Sequence, residues 1–179
     1  MKWPTDLFQN NVRNDVTIQQ RLVALEKNKK LTNWRLSDHA IDFIVKNLSK
    51  GSRIIEFGSG LGSMMLYARG FELLSIEENQ YYMNRCHPNY CLAEIKNGWY
   101  DKDAVKHRID GEVFDAMIID GPAKGVRNKI LECNFIDFDT PKFILMDDLD
   151  RKKDSTLFDT LKQNKRHQTL GSYGVIFND

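Results

Sequence analysis

At positions 54–63 the sequence runs Ile54-Ile55-Glu56-Phe57-Gly58-Ser59-Gly60-Leu61-Gly62-Ser63. An apolar stretch typical of a β-strand ends beside an acidic residue and breaks into alternating glycines, where a helix begins. Glycine lets a backbone turn this sharply and still approach a ligand to van der Waals contact. The start of a helix adds free N–H groups and the positive end of the helix dipole. The stretch therefore predicts a strand, a loop and a helix that together bind a nucleotide-like ligand.

The spacing of the glycines separates two kinds of nucleotide loop. A dinucleotide fingerprint, G-x-G-x-x-G, requires its third glycine at position 63, where this chain has Ser63. The third glycine comes one position earlier, at Gly62. This spacing argues against a nicotinamide dinucleotide as the ligand.

A second predicted strand, over 71–76, is followed by Glu77 and Glu78. They come about 20 residues after the loop, where Rossmann-like folds place a carboxylate on the ribose hydroxyls. A carboxylate only accepts hydrogen bonds, so it can bind both vicinal hydroxyls at once. We expect Glu77, at the strand tip, to take this role; the alternative is a solvated glutamate at a strand end.

Length and composition fit one enzyme-sized domain. With 179 residues, 41% of them hydrophobic, the chain can bury one substantial core. Charged residues make up 28% but leave a net charge of only +1, so the overall charge gives no reason to expect nucleic acid or an anionic membrane as partner. The cysteines lack the spacing of zinc or redox sites, and no apolar run has the length of a signal segment or a membrane span. We expect a cytoplasmic protein.

Strands and helices alternate along the chain, which is typical of a parallel sheet. Predicted helices cover 12–28, a segment capped by Ser37, a short segment after the glycine loop, 79–86, 126–134 and 153–163. Predicted strands cover 53–57, 71–76, 90–93, 113–120, 142–146, 166–170 and 173–177, the last two forming a hairpin. The segment 95–110 is predicted to be irregular, with a helical turn. We divide the chain into an N-terminal helical extension or lid over 1–36 and a cofactor-binding domain over 37–179.

These motifs resemble those of class I S-adenosylmethionine-dependent methyltransferases. The E-x-G-x-G-x-G pattern that begins at Glu56 is similar to their first motif, in which the loop packs against the amino-acid half of the cofactor. Segments 75–77, 97–101, 119–122 and 146–151 resemble a group of small bacterial methyltransferase-like proteins. The resemblance covers residues 34–177. It implies S-adenosylmethionine as cofactor and a Rossmann-like α/β fold, with a mostly parallel seven-stranded sheet that ends in a C-terminal antiparallel hairpin.

The resemblance also implies a cofactor site at the loop and at the strand ends. Glu56 lies either near the cofactor's ammonium group or ties the N–H groups of the loop. Glu94 follows the third strand, where methyltransferases often recognise adenine, although the usual Asp is absent there. Trp34 and Trp99 either line the pocket or pack under a loop. The implied cofactor-binding residues are Glu56, Gly58, Ser59, Gly60, Gly62, Glu77, Glu94 and Asp120.

Further carboxylates stand at the predicted ends of the fourth and fifth long strands, Asp120 and the pair Asp147-Asp148. Ligands of open α/β sheets bind beyond these strand ends. Neighbouring like charges raise one another's pKa values unless a cation lies among them. The three carboxylates resemble the set that holds a magnesium-like ion in metal-dependent, catechol-type O-methyltransferases, and hard oxygen ligands suit such an ion.

The match to that metal set is incomplete. Asp148 stands where those enzymes usually have Asn, and Lys124 lies four residues after Asp120, where they have a lysine at three. The alternative to a divalent cation is neutralisation by a basic side chain. The candidates for that role are Arg127, Lys129 and Arg151.

Methyl transfer requires an aligned nucleophile and, for a hydroxyl acceptor, a group that takes its proton. Asp120 is the first candidate for orienting or deprotonating the acceptor, and Lys124 is the second, as a base if desolvation lowers its pKa. The alternative for Asp120 is a carboxylate that only holds the next loop.

We therefore expect an S-adenosylmethionine-dependent methyltransferase that O-methylates a small-molecule or sugar-like acceptor. Two alternatives remain: a non-catalytic module that binds an adenosyl cofactor, and a nicotinamide-dependent oxidoreductase on a Rossmann-like scaffold.

Overall fold

A computed structural model describes residues 36–84 and 86–179. The predicted helix over 12–28, Trp34 and all but the last residue of the 1–36 extension lie outside the described residues. The helices are α1 (Asp38–Asn47), α2 (Leu61–Ala68), α3 (Lys102–Ile109) and α4 (Lys152–Leu161), with 3₁₀ turns at Gln80–Tyr82 and Arg127–Glu132. The strands are β1 (Arg53–Phe57), β2 (Glu72–Glu77), β3 (Tyr90–Leu92), β4 (Ile95–Lys96), β5 (Trp99–Tyr100), β6 (Ala116–Ile119), β7 (Phe143–Met146), β8 (His167–Leu170) and β9 (Tyr173–Phe177).

Seven of these strands form one sheet in the order β3-β2-β1-β6-β7-β9-β8. The first five strands in this order, β3, β2, β1, β6 and β7, run parallel to their neighbours. The strand β9 is antiparallel to both β7 and β8. The strands β6 and β7 are buried along their whole length, as expected for parallel strands covered on both faces. The predicted Rossmann-like α/β architecture, with its C-terminal antiparallel hairpin, is confirmed.

The two faces of the sheet carry separate cores because successive strand residues point in opposite directions. On one face Ile54 packs with Ile41 and Ile44 of α1. On the other face Ile55 packs in the core that includes Leu157 of α4. The predicted Ser37 cap of α1 is present, since the Ala40 N–H donates to Ser37 Oγ at 3.1 Å. Because β1, β2, β6 and β7 run parallel to one another, their carboxyl ends share one edge of the sheet.

The segment 95–110 is more ordered than its sequence predicted. The strands β4 and β5 form a tight hairpin whose turn residues Asn97 and Gly98 have φ values of 52° and 84°. Asn-Gly is the preferred pair for a turn with two positive φ values, so the signal was present in the sequence. Asp101 then caps α3, accepting from the Asp103 N–H at 3.2 Å.

Two predicted helices are shorter than expected, and one strand starts later. Among the described residues of 79–86, the helical part is the 3₁₀ turn Gln80–Tyr82, and Asn84 takes a left-handed conformation with φ 56°. The 126–134 segment is a 3₁₀ helix, Arg127–Glu132, and not an α-helix. The strand predicted over 113–120 begins at Ala116. Within the described residues, no helix combines the length and the apolar character needed to cross a bilayer.

Candidate functional site

The glycine loop follows β1 and lies against the end of β6. Gly58 has φ 91°, and its N–H donates to the Ile76 carbonyl of β2 at 2.9 Å. A Cβ atom at Gly58 would lie 2.9 Å from the Gly121 nitrogen, closer than real Cβ contacts. Only glycine satisfies both the left-handed backbone and this close approach. The loop and the end of β6 are therefore held in backbone contact.

The remaining loop residues have different surroundings. Gly60 is the N-cap of α2, and its N–H donates to Ser63 Oγ at 3.0 Å. A Cβ at Gly62 would lie 3.0 Å from Cγ of Leu36, so this glycine serves helix packing on that side. Ser63, which stands where a dinucleotide loop has glycine, thus fastens the start of α2.

Glu77 closes the loop from the neighbouring strand. Its Oε2 accepts from the Ser59 N–H at 3.1 Å and its Oε1 from the Asn79 N–H at 2.8 Å. Desolvation raises the pKa of Glu77 to about 7, with Glu78 adding to the rise and the backbone donors opposing it. A carboxylate offers about four acceptor positions, and the backbone N–H groups of Ser59, Asn79 and Glu78 all act on Glu77. The predicted ribose contact would use the acceptor capacity that these donors leave.

Glu56 belongs to a buried hydrogen-bonded chain below the loop. Ser75, its register partner on β2, donates to Glu56 Oε1 and also contacts His87 Nε2. The His87 Nε2 and Glu56 Oε1 atoms are 3.7 Å apart, and both side chains are almost fully buried. Neither predicted arrangement of Glu56 anticipated this: its hydrogen bonds in the described structure go to a strand neighbour and not to the loop N–H groups.

His87 connects this series of buried contacts to the glycine loop. Its Nδ1 accepts from the Asn89 N–H at 3.2 Å, which leaves Nε2 as the nitrogen that can donate to Ser75 Oγ. The ring stacks on Tyr90, with centroids 4.3 Å apart. The Tyr90 hydroxyl in turn hydrogen-bonds Ser59 Oγ at 2.7 Å. Sequence reasoning missed Ser75 and His87, because the contact depends on strand register.

The carboxylates at the ends of β6 and β7 surround one arginine. Arg127 is 3% exposed, and its Nη2 lies 3.3 Å from Asp120 Oδ1 and 3.0 Å from Asp148 Oδ2. Its Nη1 lies 3.5 Å from Oδ2 of the buried Asp154 and donates to the Asp147 carbonyl at 3.0 Å. Of the predicted neutralising side chains, Arg127 and Arg151 reach the carboxylates. The third, Lys129, donates instead to the Asn97 carbonyl.

This arrangement does not fit a divalent cation. The Asp120 and Asp148 carboxylates converge on a guanidinium nitrogen, which fills the position that a shared ion needs. Across residues 36–84 and 86–179, no group of three or more His, Cys, Asp or Glu side chains has the geometry to hold a metal ion. Although 43% of the Asp120 side chain is exposed, desolvation raises its pKa, while Arg127 opposes the rise and Asp147 and Asp148 add to it.

The other predicted site residues lie at the periphery. Lys124 is exposed, whereas its role as a base assumed a desolvated ammonium group. The Glu94 side chain is also exposed, directly after β3. Trp99 is 1% exposed and packs on Phe57 with ring centroids 5.8 Å apart, so it is a core residue. The roles of Lys124 and Glu94 stay predictions.

A scan of protein-family models finds no match to this sequence, and a search of the curated proteins finds none either. Solved structures do match the fold. A TehB-like SAM-dependent methyltransferase from Corynebacterium glutamicum aligns at 10% identity with a TM-score of 0.52, over 93% of this chain and 100% of the other. CalS11, a TDP-rhamnose 3′-O-methyltransferase, aligns at 12% identity and TM-score 0.52, over 97% and 90%.

A third similar structure is MycE, a methyltransferase of mycinamycin biosynthesis solved in complex with Mg and SAH. It aligns at 10% identity and TM-score 0.50, over 93% of this chain. The present chain spans 49% of MycE's length. These likenesses, together with the strand order and the glycine loop after β1, show that the chain has the class I methyltransferase fold.

Proposed function

We propose that this protein is an S-adenosylmethionine-dependent methyltransferase that O-methylates a small-molecule or sugar-like acceptor. The observation that carries the proposal is the pairing of Glu77 with the glycine loop. The buried Glu77 carboxylate accepts from the N–H of Ser59 in this loop and from the N–H of Asn79, so an acceptor group and the backbone of a glycine loop lie side by side. That is the donor and acceptor chemistry that an adenosine ribose requires.

The chain's own residues divide into a cofactor part and an acceptor part. We assign the cofactor to Gly58, Ser59, Gly60 and Glu77. When bound, S-adenosylmethionine supplies an electrophilic methyl group. Asp120, at the end of β6 and partly exposed, orients the acceptor hydroxyl and takes its proton.

Three further observations support parts of the proposal. CalS11, one of the similar structures, acts on a nucleotide-linked sugar, which agrees with a sugar-like acceptor. Leu36, where the described chain begins, packs against Gly62 at the cofactor loop. The lid role of the extension over 1–36 stays part of the proposal. The three cysteines are unpaired and buried, which agrees with a cytoplasmic protein.

Calorimetry tests the choice of cofactor. We expect binding of S-adenosylmethionine and S-adenosylhomocysteine and no measurable binding of nicotinamide dinucleotides. Preferential binding of a nicotinamide cofactor would overturn the proposal. A turnover assay that detects S-adenosylhomocysteine, run over hydroxyl acceptors that include nucleotide-linked sugars, separates an enzyme from a module that only binds the cofactor.

A further inference from the structure

Arg127 joins three separate parts of the chain at the acceptor side of the site. It lies at the start of the 3₁₀ helix after β6, and it contacts Asp120 after β6, Asp148 after β7 and Asp154 in the first turn of α4. It also donates to the main-chain carbonyls of Asp120 and Asp147. With a side chain only 3% exposed, it is a built-in part of the site and not a surface ion pair.

An uncommon backbone conformation at Asp148 accompanies its contact with Arg127. Asp148 has φ 62°, a left-handed conformation that is uncommon outside glycine. Its N–H donates to Asp147 Oδ1 at 2.9 Å, which holds the turn. The same turn brings Asp148 Oδ2 within 3.0 Å of both Arg127 and Arg151. A strained residue is thus held where its carboxylate meets the guanidinium group.

Charge explains why a cation is required here. Asp120, Asp147, Asp148 and Asp154 bring four carboxyl groups to one edge of the sheet. Of the two arginines that reach them, Arg151 is 48% exposed and contacts only Asp148 among these four, whereas Arg127 is buried and contacts three. Carboxylates this close together would repel one another without a cation among them. A guanidinium group suits this position because its N–H groups form a planar fork that serves several oxygens at once.

We propose that Arg127 is the resident cation of the acceptor site and takes the place of a divalent metal ion, as a positioning residue that aims Asp120 at the acceptor. The proposal deepens the methyltransferase function proposed above and rests on it for the role of Asp120. It has a consequence for the acceptor. A metal ion selects acceptors that chelate through two oxygens, whereas a carboxylate held by Arg127 requires only one hydroxyl. The acceptor therefore needs one hydroxyl for Asp120 and no second oxygen for chelation.

Manganese titration of the full chain, followed by the electron paramagnetic resonance signal of free Mn²⁺, tests the proposal without any cofactor or acceptor. The wild-type protein should leave the free Mn²⁺ signal unchanged. Arg127→Gln removes the cation and leaves the carboxylates, so it should lower the free Mn²⁺ signal at protein concentrations at which the wild type leaves that signal unchanged. Arg127→Gln/Asp148→Asn should lose that gain in Mn²⁺ binding.

Two matched variants separate a positional role from a general loss of charge. Arg151→Gln removes a cation that also lies 3.0 Å from Asp148, but it leaves Arg127 in place, so it should gain no Mn²⁺ binding. Arg127→Lys keeps the positive charge and should also gain none. Circular dichroism checks that each variant is folded.

Wild-type Mn²⁺ binding that Asp120→Asn or Asp148→Asn removes would overturn the proposal, and so would a folded Arg127→Gln that gains no Mn²⁺ binding. If Arg127→Gln does not fold, the wild-type titration with the two Asn variants still decides. Failure of the methyltransferase assignment would appear instead in the cofactor calorimetry, which these measurements do not involve.

Discussion

The Ser59 backbone N–H donates a hydrogen bond to Glu77 Oε2 at 3.1 Å, so the end of β2 holds the glycine loop that follows β1. The same carboxylate is the candidate for the ribose hydroxyls. Loop conformation and cofactor binding therefore depend on one side chain. Glu77 is only 5% exposed. Protonation of this carboxylate would therefore change both its hydrogen bond to the loop and its capacity to accept from the ribose hydroxyls.

Replacing Glu77 should weaken cofactor binding. Glu77→Ala removes a charged hydrogen-bond acceptor, so we expect a loss of roughly 1.5–3 kcal/mol in the binding free energy of S-adenosylhomocysteine, measured by calorimetry. Glu72→Ala, at the exposed start of the same strand, is the control and should leave affinity unchanged. Unchanged affinity in Glu77→Ala would transfer the ribose role to Glu78.

The raised pKa of Glu77 makes stability depend on pH. A pKa of about 7 in the folded state, against an ordinary 4.5, means that the folded protein holds a proton that the unfolded chain releases between these values. The free energy of unfolding should therefore fall as pH rises through this window and level off above it. A pKa difference of this size corresponds to roughly 3 kcal/mol.

Urea unfolding across the same pH window measures this effect. Glu77→Gln cannot titrate, so its stability should fall less with rising pH than that of the wild type. The difference between the two curves isolates Glu77, since the other titrating groups are shared. Parallel curves would show that Glu77 has an ordinary pKa in the folded protein.

Gly58 should tolerate no side chain. Gly58→Ala adds a Cβ atom 2.9 Å from the Gly121 nitrogen in a left-handed residue. Gly51→Ala is the matched control, because Gly51 has φ 82° and open space where the Cβ would lie. Both variants carry the left-handed cost of roughly 1–2 kcal/mol. The clash should destabilise Gly58→Ala by ~1–3 kcal/mol more in denaturant unfolding, and equal losses would contradict the close approach.

The buried chain of Glu56, Ser75 and His87 should contribute to stability. Ser75→Ala leaves the Glu56 carboxylate and His87 Nε2 without their shared partner in a buried site, so we expect a loss of roughly 1.5–3 kcal/mol in the free energy of unfolding. Ser155→Ala, at a half-buried serine on α4 whose hydroxyl makes a solvent-exposed hydrogen bond, should change it by less than ~0.5 kcal/mol. A double-mutant cycle with Glu56→Gln measures the coupling, and additive losses would show that the two residues act independently.

Asp120 should matter for turnover and not for cofactor binding. Asp120→Asn keeps the shape of the side chain but cannot take a proton, so we expect turnover to fall by about 10²–10⁴-fold. The affinity for S-adenosylmethionine should stay within a few-fold, since the proposed cofactor residues Gly58 and Gly60 lie in the loop after β1 and Glu77 lies at the end of β2. Asp150→Asn, an exposed neighbour of the acidic pair, is the control. Full turnover by Asp120→Asn would leave Asp120 only a structural role.

Local signals predicted much of the fold. The glycine loop between β1 and α2, the Ser37 cap of α1 and the β8–β9 hairpin each depend on residues close together in the chain. Their signatures are therefore readable without knowledge of the rest of the molecule. The hairpin of β4 and β5 was readable in the same way, from Asn97-Gly98, but was missed.

The candidate site was likewise predicted from the sequence only in part. The sequence alone placed Glu77, Asp120, Asp147 and Asp148 at strand ends and required a cation among the last three, since like charges cannot stay close without one. Which cation reaches them depends on how the segment after β6 places the buried Arg127 side chain beside Asp120 and Asp148. The link from Glu56 to Ser75 likewise depends on the register of β1 against β2. Contacts between residues far apart in the chain exist only once packing brings them together. Only the tertiary structure therefore decided that Arg127 is the cation among the carboxylates and that Glu56 is hydrogen-bonded to Ser75.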